Sequence, residues 1–130
     1  MPWDSKNHCA IPLDPDDAFE AISNERRRLI LLSLDRSNNA TTAGDLAVEL
    51  AAIENGVKPS DVTSEQRTRV YVGLTQIHLD QLHEIGAIQY DSRSKSVKPT
   101  DVTAGLAEVI RRTESSCYSP QAEFGGEQDG

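Results

Sequence analysis

Aromatic residues are scarce in this chain: two Phe, three Tyr and one Trp make up 5% of 130 residues. Cysteine is scarcer still, with Cys9 and Cys117 near opposite ends. Two such distant cysteines suggest neither a disulfide scaffold nor zinc-finger spacing, and the expectation is a reduced, cytoplasmic protein. No apolar run approaches the ~18 residues of a membrane span, so no membrane partner is expected. The opening MPWDSKNHCAIPLD has no basic start and no continuous apolar stretch, and does not read as a secretory signal. A glycine-rich phosphate loop, a G-x-S-x-G elbow and an H-E-x-x-H pair are all missing, so neither an enzyme nor a cofactor is expected. His8-Cys9, His78, His83 and Cys117 give no metal site. His78 and His83 stand five apart, not the i, i+4 that puts two ligands on one helix face. Neither cysteine has a basic neighbour to activate its thiol.

Lysine is also rare: four Lys against nine Arg, and 21 acids against 13 bases give a net charge of −8. The acids are not evenly spread. Residues 1–23 and residues 114–130 each carry −4, and residues 24–113 are neutral with 12 acids and 12 bases. Acidic ends around a neutral middle do not exclude a polyanion partner. An acidic, Lys-poor, Asp-rich surface is the one expected of a protein working in multimolar salt, where repulsion is screened within about 3 Å. An ordinary acidic mesophile protein is the alternative.

Helix signals dominate the middle of the chain. Asp14 can cap a first helix with Pro15 at its first position and Asp16 and Asp17 against the dipole, and DDAFEAIS puts Phe19 and Ile22 on one face. A second helix, about Glu25 to Asp35, is apolar nearly all round at Leu29 to Leu32 and Leu34, which makes it central. SNNATT reads as a loop. Thr42 and Asp45 open a third helix with Leu46, Leu50 and Ile53 on its buried face and Asn55-Gly56 at its end. VKPSDV connects. Thr63 and Gln66 form a capping box for the longest helix, 64–85, patterned by Val70, Leu74, Ile77, Leu79, Leu82 and Ile85 and stopped by Gly86. Ile88 and Tyr90 alternate with polar neighbours, and Val97 sits in the partner run, so 87–98 reads as a short hairpin with a basic tip. A last amphipathic helix covers about Asp101 to Thr113. The remainder, SSCYSPQAEFGGEQDG, has no period and reads as disordered.

The expected fold is therefore mainly α with a small β hairpin, on the plan of a winged helix-turn-helix. The division is an extension over 1–13, the domain over 14–113 and an acidic tail over 114–130. In that plan a helix enters the DNA major groove and the hairpin, or wing, touches the backbone. The connector from Asn55 to Val62 is longer than the usual three-to-four-residue turn.

The stretch VTSEQRTRVYVGLTQIHLDQLHEIGAIQYD (62–91), with AISNERRRLILLSL (21–34) and GDLAVELAAIENG (44–56), resembles a family of small haloarchaeal winged-helix proteins known as a domain of unknown function. The resemblance spans roughly 15–100. More loosely, HLDQLHEIGAI is similar to the end of the recognition helix in arsenic-repressor-type regulators. The resemblance implies a haloarchaeal DNA-binding regulator of transcription. This chain carries Asp80 where the family usually has proline, and Gly73-Leu74-Thr75-Gln76 where Ser-Leu-Tyr-Gln is common.

The candidate contacts to double-stranded DNA are Gln66, Arg67, Thr68 and Arg69 at the long helix's start, Thr75 and Gln76 further along, and Arg93, Lys95 and Lys98 on a mobile basic wing. Arg67, Arg69, Arg93 and Lys95 are expected to form one positive patch. Arg26-Arg27-Arg28 spans about 200° of helix and cannot form one face; at least one is expected to pair with acids of the first helix or to support a subunit contact. Two half-sites favour a homodimer, and Val102, Leu106, Val109 and Ile110 on the last helix are its expected interface. The rival expectation is a module that contacts another protein, such as another transcription protein, on the same scaffold without binding DNA.

Overall fold

Short side chains at helix starts set the element boundaries. The Asp14 carboxylate accepts the Asp16 amide at 2.8 Å and Pro15 follows, which opens α1 (Pro15–Ile22). Asn24 accepts the Arg27 amide and opens α2 (Glu25–Ser37). A two-residue strand, β1 (Thr41–Thr42), runs directly into α3 (Ala43–Asn55), whose cap is Thr42 bonded to the Asp45 amide. A 3-10 turn at Pro59–Asp61 fills the long connector. Thr63 and Gln66 then exchange the two bonds of a capping box at the head of α4 (Ser64–Gly73). A π turn over Leu74–His78 joins α4 to α5 (Leu79–Glu84). Gly86, at φ 81°, stops the rod in a left-handed conformation that a side chain would strain. The hairpin β2 (Ile88–Asp91) and β3 (Ser96–Pro99) follows, then α6 (Asp101–Ser116). This computed structural model describes residues 11–117. The expected extension, with His8-Cys9, lies mostly outside these residues, as does most of the acidic tail.

Helices α2 and α3, the α4–α5 rod, the hairpin and the covering α6, with α1 ahead of them, make a winged-helix-like fold, mainly α with one small sheet. The sheet is antiparallel in the order β1-β3-β2, with Thr41 opposite Val97 and Tyr90 opposite Val97 from the other side. Val97 and Tyr90 face the core, where they join Leu31, Leu34, Leu46, Leu50, Leu74, Leu82 and Leu106. No described helix is long and apolar enough to cross a membrane.

The π turn has a sequence cause. Buried Val70 and Leu74 are four apart, and buried Leu79 and Leu82 are three apart, but Leu74 and Leu79 are five apart. An unbroken α-helix would carry Leu79 about 140° away from Leu74. A π turn absorbs the extra residue and returns Leu79 to the core side. Ile77, expected inside, is turned out at 49% exposure. Ile53 and Phe19 are exposed as well, since the faces of α3 and α1 that meet the core are set by Leu46, Ala47, Leu50 and Ala51, and by Ala21.

Two further expectations change. SNNATT is not all loop: Thr41 and Thr42 pair with Val97 and Ser96. The last helix runs to Ser116, its final turns supported by the Arg112–Glu108 pair and by Thr113 donating to the Val109 carbonyl. Its apolar stripe does not form a free surface. Val102, Leu106 and Ile110 are buried against the protomer's own α2, and Val109 is half-buried. The reason lies in α2, whose apolar circumference must be covered on more than one side. Arg111 bonds Asp35 of α2 at 2.7 Å alongside. Leu106→Asp is therefore expected to unfold the protomer.

Urea denaturation tests the π turn. Leu79→Ala is expected to cost about 2–5 kcal/mol, and Ile77→Gln to stay within about 0.5 kcal/mol of the parent. A straight helix would reverse that order.

Candidate nucleic-acid interface

The arginines divide into two groups by what they touch. Arg26 of α2 grips Glu54 of α3 through Nε and Nη2, both at 2.8 Å, and the Glu54 carboxylate holds its pKa above the ordinary value. Gly73 allows this: a Cβ there would stand 2.8 Å from Arg26 Nη1. Arg27 is 6% exposed and uses all five of its N–H groups. Nε donates to the Ala21 carbonyl, Nη2 to the Glu20 carbonyl and Ser23 Oγ, and Nη1 to Gln81 Oε1 and His78 Nδ1. It also stands 3.6 Å from the Glu20 carboxylate, the expected acid of the first helix. Arg28 donates to the Ile22 carbonyl, Arg36 pairs with Glu49, Arg111 with Asp35 and Arg112 with Glu108.

The remaining three, Arg67, Arg69 and Arg93, have no ion-pair partner among the described residues, and neither have Lys58, Lys95 and Lys98. All six lie between the 3-10 turn and the second strand of the wing. Every described cation outside that stretch is bound internally.

Helical geometry separates Arg67 from Arg69. Two residues turn α4 by about 200°, so they do not share a face. Arg69 lines an open depression of about 510 Å³ with Ser64, Glu65, Thr68 and Val72. Arg67 lies one turn before Tyr71 on the same flank of α4. The expected single patch is thus divided: Arg69 borders the depression and Arg67 stands on another flank of α4. Gln66 is partly committed: its Oε1 accepts the Thr63 amide. The Thr75 hydroxyl donates to the Tyr71 carbonyl at 3.0 Å and turns back on its own helix. Gln76 is exposed on the π turn, beside an equally exposed Ile77.

The wing is pinned. The Asp91 carboxylate accepts the Arg93 amide at 2.9 Å, and that bond, with help from Ser94, holds its pKa below the ordinary 3.8. Lys95 takes a left-handed backbone at φ 64°, donates its amide to the Asp91 carbonyl and accepts from the Ala43 amide. These bonds replace the expected mobile loop by a turn tied to the start of α3.

His83, set aside as a metal ligand, joins the wing through the fold. His83 Nδ1 accepts the Tyr90 amide at 3.2 Å, which leaves its hydrogen on Nε2. It borders a groove of about 430 Å³ on the wing's outer face with Gln89, Ser94, Ser96 and Lys98. The strand register puts Gln89 opposite Lys98 and Asp91 opposite Ser96 on that face. Only the fold brings His83 there.

The family described as Domain of unknown function (DUF7344) matches residues 19–98. The chain belongs to this family. No curated protein and no solved structure matches the chain. The DUF7344 match begins in α1 and ends in β3, so it contains every one of the six uncommitted cations and omits the whole of α6. Across the described residues of this DUF7344 member, no three His, Cys, Asp or Glu side chains converge as metal ligands.

His78 gives a pH test. Burial, with Arg27 and Arg26 close by, lowers its pKa, against the opposing Glu54. The unfolded ring takes a proton as pH falls through about 6.5 while the folded ring resists. Stability is therefore expected to fall below pH about 6.5, and His78→Gln to flatten that slope in chemical denaturation between about pH 7.5 and about pH 5.5.

Proposed function

We propose that the protein is a sequence-specific DNA-binding regulator of transcription from a haloarchaeon, with α4 in the major groove and the β2–β3 hairpin as the wing. The observation that carries this reading is the partition of cations. Among the described residues Arg67, Arg69, Arg93, Lys95 and Lys98 have no ion-pair partner and stand on the two elements that a winged helix presents to duplex DNA, with Lys58 in the connector before them, while the other described arginines are bonded internally. Arg69 and Thr68 face the groove floor. Arg67 and the wing cations meet the phosphates. Gln76 stands one helical turn beyond Val72, where it can reach an adenine edge. A homodimer belongs to the reading because one short helix covers few base pairs; its surface is other than the buried α6 stripe. The kinship with arsenic-repressor-type regulators is part of the same proposal. No reaction chemistry is assigned to the chain, and its place is the cytoplasm, with the chromosome.

A second reading has its own observation. Phe19 is 69% exposed on α1, away from the wing, and the chain ends are acidic. These suit a module that docks on another transcription protein without touching DNA.

Genome-wide occupancy of the tagged chain at native salt separates the two. Sharp peaks sharing a palindrome are expected; one dominant co-purified protein without peaks would favour the second reading. On a selected duplex in ordinary buffer, Arg93→Ala and Lys98→Ala are each expected to flatten the salt slope by about one unit. For Lys95 the useful variant is Lys95→Asn, which removes charge while tolerating the left-handed backbone. Equal slopes for parent and variants would remove the wing from the interface.

A further inference from the structure

Val72 stands at the centre of the outward side of α4, 41% exposed, although the packing needs of that helix are met by Val70 and Leu74 on the opposite side. It forms the apolar part of the depression lined by Ser64, Glu65, Thr68 and Arg69. Thr68 precedes it by one turn and adds a methyl group on the same side. The guanidinium of Arg69 borders this floor beside Glu65, and the other cations without an ion-pair partner among the described residues stand on another flank of α4 at Arg67 and on the wing at Arg93, Lys95 and Lys98. The occupant that fits is a long anion carrying a small apolar group between its charged edges. Duplex DNA meets that description at one base, since the thymine 5-methyl is the apolar group of the major-groove edges.

We propose that Val72 reads a thymine methyl, so that the site selects an A·T pair of fixed orientation under the middle of α4. The inference rests on the DNA-binding reading above and adds the identity of a base to it. It also suits the salt economy of this surface. Phosphate contacts weaken as salt rises, whereas burial of a methyl group against Val72 and Thr68 does not weaken with salt.

The test uses a duplex selected from a randomised pool by the full-length chain, with each thymine replaced in turn by uracil, which lacks the 5-methyl. One thymine per half-site is expected to lose about fourfold in affinity on replacement, the worth of one buried methyl. Val72→Ala, a substitution that favours the helix, is expected to bind the thymine and uracil duplexes alike. The uracil loss in the parent is expected to persist from low to multimolar salt. Two results overturn the proposal while leaving DNA binding intact: indifference of the parent to every uracil replacement, or an unchanged uracil loss in Val72→Ala. Failure to enrich any duplex overturns the DNA-binding reading and this inference with it.

Discussion

The Arg27 guanidinium is the interaction on which the arrangement of the helices depends. It is buried, and its five donors meet five acceptors on three separate elements: the carboxyl-terminal carbonyls of α1, Ser23 in the α1–α2 joint, and His78 and Gln81 of the π turn and α5. The last carbonyls of a helix have no partner within it and carry partial negative charge. A guanidinium satisfies them and in the same plane reaches the long rod. Truncating it would leave the buried Ala21 carbonyl and four half-buried acceptors without this donor. One side chain thus ties the α1–α2 joint to the rod.

The rod itself shows how local and tertiary demands were reconciled. The helix keeps one face toward the core over its whole length only because Leu74–His78 takes an extra residue into one turn. That turn is also where His78 meets Arg27 and where the crevice bounded by Asn24, Arg26 and Glu54 begins. Amino-terminal to it, α4 is bound to α3 through packing and Gly73's accommodation of Arg26. Carboxy-terminal to it, α5 is bound to the hairpin through His83 and the Tyr90 amide. The outward side of α4 is left with no structural duty, which is why Arg69 remains uncommitted there.

Much of this was legible beforehand, where the signal was local. Asp14, Thr42 and Thr63 each cap the helix their spacing announced, and Gly86 stops the rod. The hairpin follows from the alternation of Ile88, Tyr90 and their neighbours. What was not legible depends on partners distant in sequence. Thr41–Thr42 is too short to show a period and becomes a strand only because Val97 lies beside it. Ile77 looked internal because a straight helix was assumed across a five-residue gap. The stripe of α6 looked like an interface because nothing local reveals that α2 needs covering. Among Arg26, Arg27 and Arg28, successive 100° steps left it open which would enter the core. Of the candidate site, the bases on α4 and the wing were readable from charge, but the opposite pointing of Arg67 and Arg69, the engagement of Gln66 and Thr75, and the presence of His83 were not.

The sheet order has a consequence for how the chain acquires its shape. The central strand β3 is bordered on one side by its hairpin partner and on the other by β1, which comes from before α3. A two-strand hairpin alone is marginal in water, and the contact that completes the sheet joins distant parts of the chain, which makes it slow to form. During synthesis the helices up to the rod can associate while the hairpin is still inside the ribosome. The wing tip reaches the Ala43 amide only after them. Maturation of the domain therefore needs the sheet and then α6, and a nascent chain halted before β3 would lack both the strap that sets the wing against α3 and the helix that covers α2.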